Sequence, residues 1–329
     1  MTEVAEKTKL EMVLEKLQTL PYHQQQLLLK KFPKDEQEAI AEILDELNTR
    51  KLRTLASDDF MVFIREMWPN FIHGRHHEKM ARAFERVARG ECKRLIINMP
   101  PRHTKSEFAS YLLPAWFFGK FPGKKIIQTS HTAELAVGFG RKVRNLVDSA
   151  NYKRIFPALD LQSDSKAAGR WNTNFGGEYF AIGIGGAVTG KGADILIIDD
   201  PHSEQEAAMA QSNPEIYDKT YEWYTSGPRQ RLQPGGSIVM VMTRWSKRDL
   251  TGQVIKAAAQ RSGEEWEVIE FPAILPSGKP LWPEFWSLKE LQALKEELPN
   301  SKWQAQYMQS PTSDVSAIVK REWWKIWEH

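Results

Sequence analysis

Arg94-Leu-Ile-Ile-Asn-Met-Pro-Pro-Arg-His-Thr-Lys105-Ser106 is the stretch on which the fold turns. Leu95 to Ile97 reads as a short apolar strand. It runs into a turn that neither helix nor sheet can continue, because Pro100 and Pro101 have no N–H to give to a ladder. The turn ends in Lys-Ser, and Glu107-Phe-Ala-Ser-Tyr-Leu-Leu113 then reads as the opening of a helix. Strand, turn, Lys-Ser, helix is the layout of a phosphate-binding loop. N–H groups at the helix N-terminus cradle the phosphates, the lysine reaches the β and γ groups, and the hydroxyl ligates Mg²⁺.

The loop departs from the regular pattern G-x-x-x-x-G-K-[ST], since Met99 and Thr104 stand where the glycines belong. Gly185-Gly-Ala-Val-Thr-Gly190-Lys191 fits the glycine spacing better. It lacks the Ser/Thr for the metal, and it leads into a strand (Ile195 to Ile198) with no helix dipole behind it, so it is the weaker phosphate site.

With 329 residues the chain can hold one large domain and an accessory piece. A hydrophobic content of 41% and a charged content of 26% are those of a soluble globular protein. There is no apolar run of about 18 residues, and the N-terminus is charged and helical, unlike a secretory signal. A single cysteine, Cys92, excludes a disulfide framework and a cysteine-based zinc site. The net charge of +3 gives no strong polyanion signal in total. Local basic clusters occur at Arg141-Lys142…Arg144 and Arg229…Arg231. Twelve tryptophans are many for this length, and those from Trp286 onward either pack a C-terminal segment onto the body or await a partner.

Leu10, Val13, Leu14 and Leu17 recur at helical spacing. Pro21 interrupts, and Pro33-Lys-Asp-Glu opens a helix carrying Ile40, Ile43, Leu44 and Leu47. Helical signals continue from Asp58 to Ala88, where His76 and His77 are expected on different helix faces and so not as a metal pair. Strands are then expected at Leu95–Asn98, Lys125–Thr129, Tyr179–Ile184, Ile195–Ile198, Ser237–Met242 and Glu267–Phe271, with helices from Lys105, from Thr132 to Val147, between Glu204 and Tyr224, and from Asp249. Such alternation predicts an α/β fold with a mainly parallel sheet flanked by helices.

Two further strands end in chemistry. Ala193-Asp-Ile-Leu-Ile-Ile-Asp199-Asp200-Pro201-His202 is a continuous apolar run closing on two acids, as a parallel core strand does when its C-terminal end carries function. One carboxylate there can hold Mg²⁺ through its water shell and the next can orient or deprotonate an attacking water. Alone, the pair is equally a turn-forming Asp-Asp-Pro. Ser237-Ile-Val-Met-Val-Met-Thr243-Arg244 is a buried strand presenting a hydroxyl and a guanidinium at its end, able to sense a γ-phosphate.

Pro100–Ser106, Thr189–Asp200 and Thr243-Arg-Trp-Ser-Lys-Arg-Asp-Leu-Thr-Gly252 together resemble the large terminase subunit of tailed bacteriophages, as do Leu281-Trp-Pro-Glu284 and Trp303–Pro311. The likeness runs over roughly residues 58 to 311, in the same order. It implies a P-loop NTPase fold of the additional-strand type: a helical appendage over residues 1–55, the ATPase domain over 56–311, and a tail or linker over 312–329. It implies ATP and Mg²⁺ as cofactors, and ATP hydrolysis that drives double-stranded viral DNA into a procapsid in the host cytoplasm. Implied partners are the DNA, a portal protein, a small terminase subunit and further copies in a ring, with no membrane. Pro101, Arg102, His103, Thr104, Lys105 and Ser106 would bind phosphate, with Arg102 on the γ-phosphate. Ser106 and Asp199 would serve the metal, and Thr243 would couple hydrolysis to motion. The catalytic acid would be Asp200, one methylene shorter than the usual Glu, or Glu204 in its place. His76 or His77 would lie on the adenine side, and Lys191 would act as a basic finger toward a neighbouring subunit.

Large terminases usually continue into a nuclease, and the chain has no carboxylate cluster after residue 311, so no DNA cleavage is expected. A helicase-like ATPase would want motor motifs in a second domain. A non-catalytic DNA-binding or assembly scaffold with a degenerate loop is the alternative from another class: the missing glycines favour it, while Lys105, Ser106, Asp199 and Thr243 oppose it.

Overall fold

The strand expected at Leu95 is β1 (Arg94–Asn98), buried along its whole length. The computed structural model describes residues 17, 19–20, 22–210, 212–260 and 265–312. Downstream of β1 come β2 (Lys125–Ser130), β3 (Leu161–Ala167), β4 (Arg170–Thr173), β5 (Glu178–Gly183), β6 (Ala193–Asp199), β7 (Leu232–Met242) and β8 (Glu267–Glu270). They join in one eight-stranded sheet of order β3-β4-β5-β2-β6-β7-β1-β8. Every pairing from β5 to β8 is parallel, and the β3–β4 and β4–β5 pairings are antiparallel. Strand β7 is interposed between the loop strand β1 and the acidic strand β6, with Ile96 opposite Met240 and Leu196 opposite Ile238. This is the additional-strand arrangement of a P-loop NTPase fold, as expected.

Alternation along the strands divides the core between the sheet's two faces. Leu95, Ile97, Ile195 and Ile197 enter one apolar cluster, and Ile96, Leu196, Ile198 and Met240 enter the other. Being covered on both sides, these strands are continuously apolar, which is why they were readable from sequence.

Helices α1 (Tyr22–Leu29) and α2 (Lys34–Asp58) form the N-terminal pair, with a small cluster of Leu17, Leu29, Ile40 and Leu44 between them. Helix α2 runs unbroken through the boundary expected after residue 55. Its Ala56 lies in the main core and its carbonyl accepts from Trp116 Nε1 at 2.9 Å, so the C-terminal end of α2 packs on the body. The stripe at Leu10, Val13 and Leu14 and the segment 313–329 lie outside the described residues. Helices α3 (Phe60–Met67) and α4 (Arg75–Ala88) follow. Beyond β1, a π-helical turn (Glu107–Leu112) continues as α5 (Leu113–Lys120). The widened turn has a cause in sequence. Pro114 has no N–H for the Ser110 carbonyl and its ring would press on it, and the backbone answers with a Leu113 N–H bond to Phe108 O, five residues back.

Helices α6 (Ala133–Val147) and α7 (Ala150–Ile155) lead to the β3–β4 hairpin, which sequence reasoning missed: Gln162-Ser-Asp-Ser has no apolar alternation to mark a strand. After β6 come α8 (Glu204–Met209) and α9 (Glu215–Ser226), and after β7 comes α10 (Leu250–Gln260). Among the described residues no helix is long and apolar enough to cross a membrane.

Candidate functional site

Met99 extends β1 by one bond, donating to Met242 O at 3.1 Å, and the chain then leaves the sheet at the two prolines. Thr104, at the place of the second glycine, has φ 71°, and Arg102 has φ 59°. Both lie in the left-handed region, which costs an L-residue about 1–2 kcal/mol and is least natural for a β-branched side chain. The loop therefore keeps a glycine-like backbone without the glycine. Met99 has no positive φ, so nothing there calls for one.

Lys105 is buried, and its Nζ lies 2.8 Å from Asp200 Oδ2. Asp200 has φ 41°, and its Oδ1 accepts from Thr243 N at 2.8 Å. Thr243 Oγ1 donates to Met99 O at 3.1 Å. The ends of β1, β6 and β7 are thus stitched together through one lysine, one carboxylate and one threonine. Asp199 is fully buried. It accepts from Ser106 Oγ at 2.9 Å and from Ser110 Oγ at 2.7 Å. Burial, and then the neighbouring Asp200, push its carboxyl up to about 7, against the opposing pull of Lys105 and the two hydroxyls.

Ser110 is a site residue that sequence reading missed. It also accepts from Gln128 Nε2 at 2.9 Å, so it links β2 to the acid. Its signal was Pro114, four residues on in an apparent helix.

Above these groups opens a cavity of about 870 Å³, with Arg102, Lys105, Ser106, Asp200, Glu204 and Thr243 on its wall and Pro101 at its edge. Arg102 and Glu204 are exposed there, Glu204 as the first residue of α8. His131, Thr132 and His202 also line it, none of them singled out from sequence.

Four expected site residues lie elsewhere. His76, His77 and His103 are buried beneath the loop and do not line the cavity. His103 Nδ1 bonds to Pro101 O at 2.8 Å, and its ring stacks on Trp286 at 6.1 Å. The rings of His76 and His77 sit 3.8 Å apart, not on different faces. His77 is the third residue of α4 and turns back to accept from Gly74 N at 2.8 Å, which swings it beside its neighbour. Lys191 is bound to Glu178 of its own chain with its Nζ 5.0 Å from the Phe180 ring, so it is not presented outward as a finger. Lys191→Ala is expected to lower stability by about 1–3 kcal/mol, because it leaves the largely buried Glu178 with only the more distant Arg170, at 3.6 Å. Nucleotide affinity of the monomer should be unchanged, and thermal denaturation beside a binding titration checks both.

Arg244 likewise turns away from the cavity. Its Nε lies 2.9 Å from Asp249 Oδ2, and its Nη1 lies 3.6 Å from Glu270. Asp249, with no exposure, also accepts from the N–H groups of Trp245, Ser246 and Gly252 at 3.0, 3.2 and 3.0 Å. A Cβ on Gly252 would sit 2.0 Å from the Lys247 carbonyl oxygen, so glycine lets this turn close before α10. Asp249→Ala is expected to cost about 3 kcal/mol or more, since it leaves the Arg244 guanidinium buried without its main partner and removes three backbone bonds. Chemical denaturation reads the loss.

No family profile matches the sequence, and no curated protein matches it. Solved structures do. The bacteriophage HK97 large terminase is similar at 11% identity and TM-score 0.46, over 72% of this chain and 50% of that one. The Thermus phage P74-26 large terminase ATPase domain is similar at 16% identity and TM-score 0.45, over 75% of this chain and 97% of that one. A large terminase from a thermophilic bacteriophage, solved with ADP, is similar at 9% identity and TM-score 0.43, over 69% of this chain and 52% of that one. The match thus spans about half the length of the whole terminases and nearly all of the isolated ATPase domain. At such identities, residue roles do not transfer from those proteins to this chain.

Proposed function

We propose that this chain is an ATPase that powers the packaging of double-stranded DNA into a phage procapsid, as the ATPase part of a large-terminase-like motor. The observation that carries the reading is the convergence of Lys105, Ser106, Asp199, Asp200 and Thr243 at the ends of three adjacent parallel strands, beneath a cavity of about 870 Å³. A lysine, a hydroxyl and two acids at a strand–loop–helix junction are the parts that phosphoryl transfer needs in one place.

In this reading Lys105 leaves Asp200 for the β and γ phosphates, and the backbone N–H groups at the helix start bind phosphate oxygens. Arg102, exposed on the wall, neutralises the γ group. The donors suit Mg²⁺: Ser106 Oγ and Asp199 Oδ1 are hard oxygens 2.9 Å apart. Among the described residues no cluster of three His, Cys, Asp or Glu could hold a metal by side chains alone. Ser106 and Asp199 would be the residues to hold such a cation, the carboxylate through its water shell. Bound there, the ion would supply neutralisation of phosphate charge. Asp200 has both oxygens engaged, by Lys105 and by Thr243 N–H, and serves as the link between nucleotide state and β7. Glu204, exposed on the cavity wall, is the carboxylate assigned to orient the attacking water.

The test is Mg²⁺-dependent ATP hydrolysis with and without double-stranded DNA. Glu204→Gln should lower turnover about 100-fold, the scale of a lost general base, with nucleotide affinity unchanged. Turnover equal to wild type would return the water to Asp200, and absence of nucleotide binding by wild type would favour the scaffold. DNA contact through the phosphate backbone, ring assembly, portal and small-subunit partners and a host-cytoplasmic location belong to the same proposal. So does the division at residues 55 and 311.

A further inference from the structure

We propose that His77 is a positioning residue for the phosphate-binding loop: its imidazole clamps Thr104 in the left-handed conformation that a glycine would otherwise supply. The inference rests on the nucleotide-site reading and adds to it a residue outside the cavity.

The protons on the three groups account for one another. Gly74 N–H donates to His77 Nδ1 at 2.8 Å, so Nδ1 carries no hydrogen and the neutral ring has its proton on Nε2. Nε2 lies 2.8 Å from Thr104 Oγ1. The Thr104 hydroxyl donates its own proton to the His103 carbonyl, which leaves a lone pair on Oγ1 to accept from Nε2–H. Burial, followed by the nearby histidines, pulls the His77 pKa down to about 2, which keeps the ring neutral and the tautomer fixed.

The clamp is rigid on the His77 side. The ring stacks on Phe108 at 5.0 Å and 17°, with Trp282 edge-on at 5.0 Å and Phe71 at 4.7 Å. Gly74 permits this packing, because a Cβ there would lie 2.7 Å from Trp282 Cδ1. Thr104 immediately precedes Lys105, and its φ of 71° sets the direction in which the Lys105 N–H and side chain leave the loop. A threonine has no intrinsic preference for that conformation, so an external bond to its hydroxyl is what selects it. His77 thus does through a side chain what the regular loop does through the absence of one.

The test is a double-mutant cycle read by Mg²⁺-dependent binding of a fluorescent ATP analogue, using wild type, His77→Ala, Thr104→Gly and the pair. His77→Ala is expected to weaken binding about tenfold when Thr104 is present and less than about twofold in the Thr104→Gly background, because glycine holds the conformation unaided. His77→Gln, which keeps a donor toward Thr104, should fall between wild type and His77→Ala. Equal losses from His77→Ala in both backgrounds would make His77 a packing residue only, and no loss in either would remove it from the site. The same four proteins are compared by thermal unfolding without nucleotide. There His77→Ala should lower Tm by about 3 °C more with Thr104 than in the glycine background. That difference tests the clamp even if wild type binds no nucleotide, a result that would overturn the ATPase reading alone. A cycle with no such difference would overturn the clamp.

Discussion

Lys105→Ala is expected to weaken Mg²⁺-dependent ATP binding at least about 100-fold, on the scale of losing a charge-assisted contact between an ammonium and the phosphates. The ammonium is buried and already faces a carboxylate at 2.8 Å, so its desolvation cost is met before nucleotide arrives. What it gains on binding is the exchange of one anionic partner for a more highly charged one. The substitution also leaves Asp199 and Asp200 adjacent with no cation between them. Lys105 is one of the groups that hold Asp199 down, so the variant should take up a proton at the acid pair. Calorimetry in two buffers of different ionisation enthalpy reads both effects. Affinity within about threefold of wild type would remove Lys105 from the phosphate site. A parallel loss for Lys191→Ala would move the site to the glycine-rich loop at residues 185–192.

The second large effect divides function from stability at one atom pair. Asp199→Asn should cut turnover about 1,000-fold, since a neutral amide cannot hold the water shell of a divalent cation against the γ-phosphate. The same change should stabilise the metal-free protein, by on the order of 1–3 kcal/mol at pH 8. The sign follows from the two pKa values. In the unfolded chain the carboxyl ionises near 3.9, and in the folded chain near 7. As pH rises from about 4, the unfolded state loses its proton first. Wild type therefore loses stability across the window up to about 7 and stays at the lower level above it. Asparagine does not titrate, so its advantage grows over that window and vanishes below it. Thermal melts at pH 5 and pH 8 with chelator present measure the difference. A variant less stable than wild type at pH 8 would mean that the bonds from Ser106 and Ser110 outweigh the buried charge.

Much of the fold was legible because the central strands are covered on both faces and read as unbroken apolar runs. The loop was legible from Lys-Ser at a strand–helix junction, even with Thr104 in the glycine position, and the acids from their place at a strand's end. What escaped has physical reasons. The β3–β4 hairpin sends Leu161 and Trp171 into the core, but Gln162 to Ser165 carry no apolar alternation to mark a strand. Ser110 looked like one more helix residue, because a π turn cannot be told from an α turn without the proline's geometry in view. His76 and His77 were read by helical spacing, which fails in a first turn where a ring bends back to cap the backbone. Arg244 was read as a sensor of the γ-phosphate and Lys191 as a finger toward a neighbouring subunit, yet each has an acid partner in its own chain, Asp249 and Glu178. Charge type is visible in sequence, whereas the identity of a partner many residues away is not.

The strand order also governs when this molecule can fold during its synthesis. Strand β1 has β7 on one side and β8 on the other, with Arg94 opposite Ile238 and Ile97 opposite Ile269. Both neighbours are made well over 100 residues after it. Until they leave the ribosome, Leu95, Ile96 and Ile97 have two unpaired edges, and Thr243, the residue that ties Asp200 to the loop, does not yet exist. The β2, β5 and β6 strands can pair earlier among themselves. The loop is therefore the last part of the site to take shape, and a nascent chain halted before β7 carries the apolar strand β1 exposed, a substrate for chaperones or for aggregation.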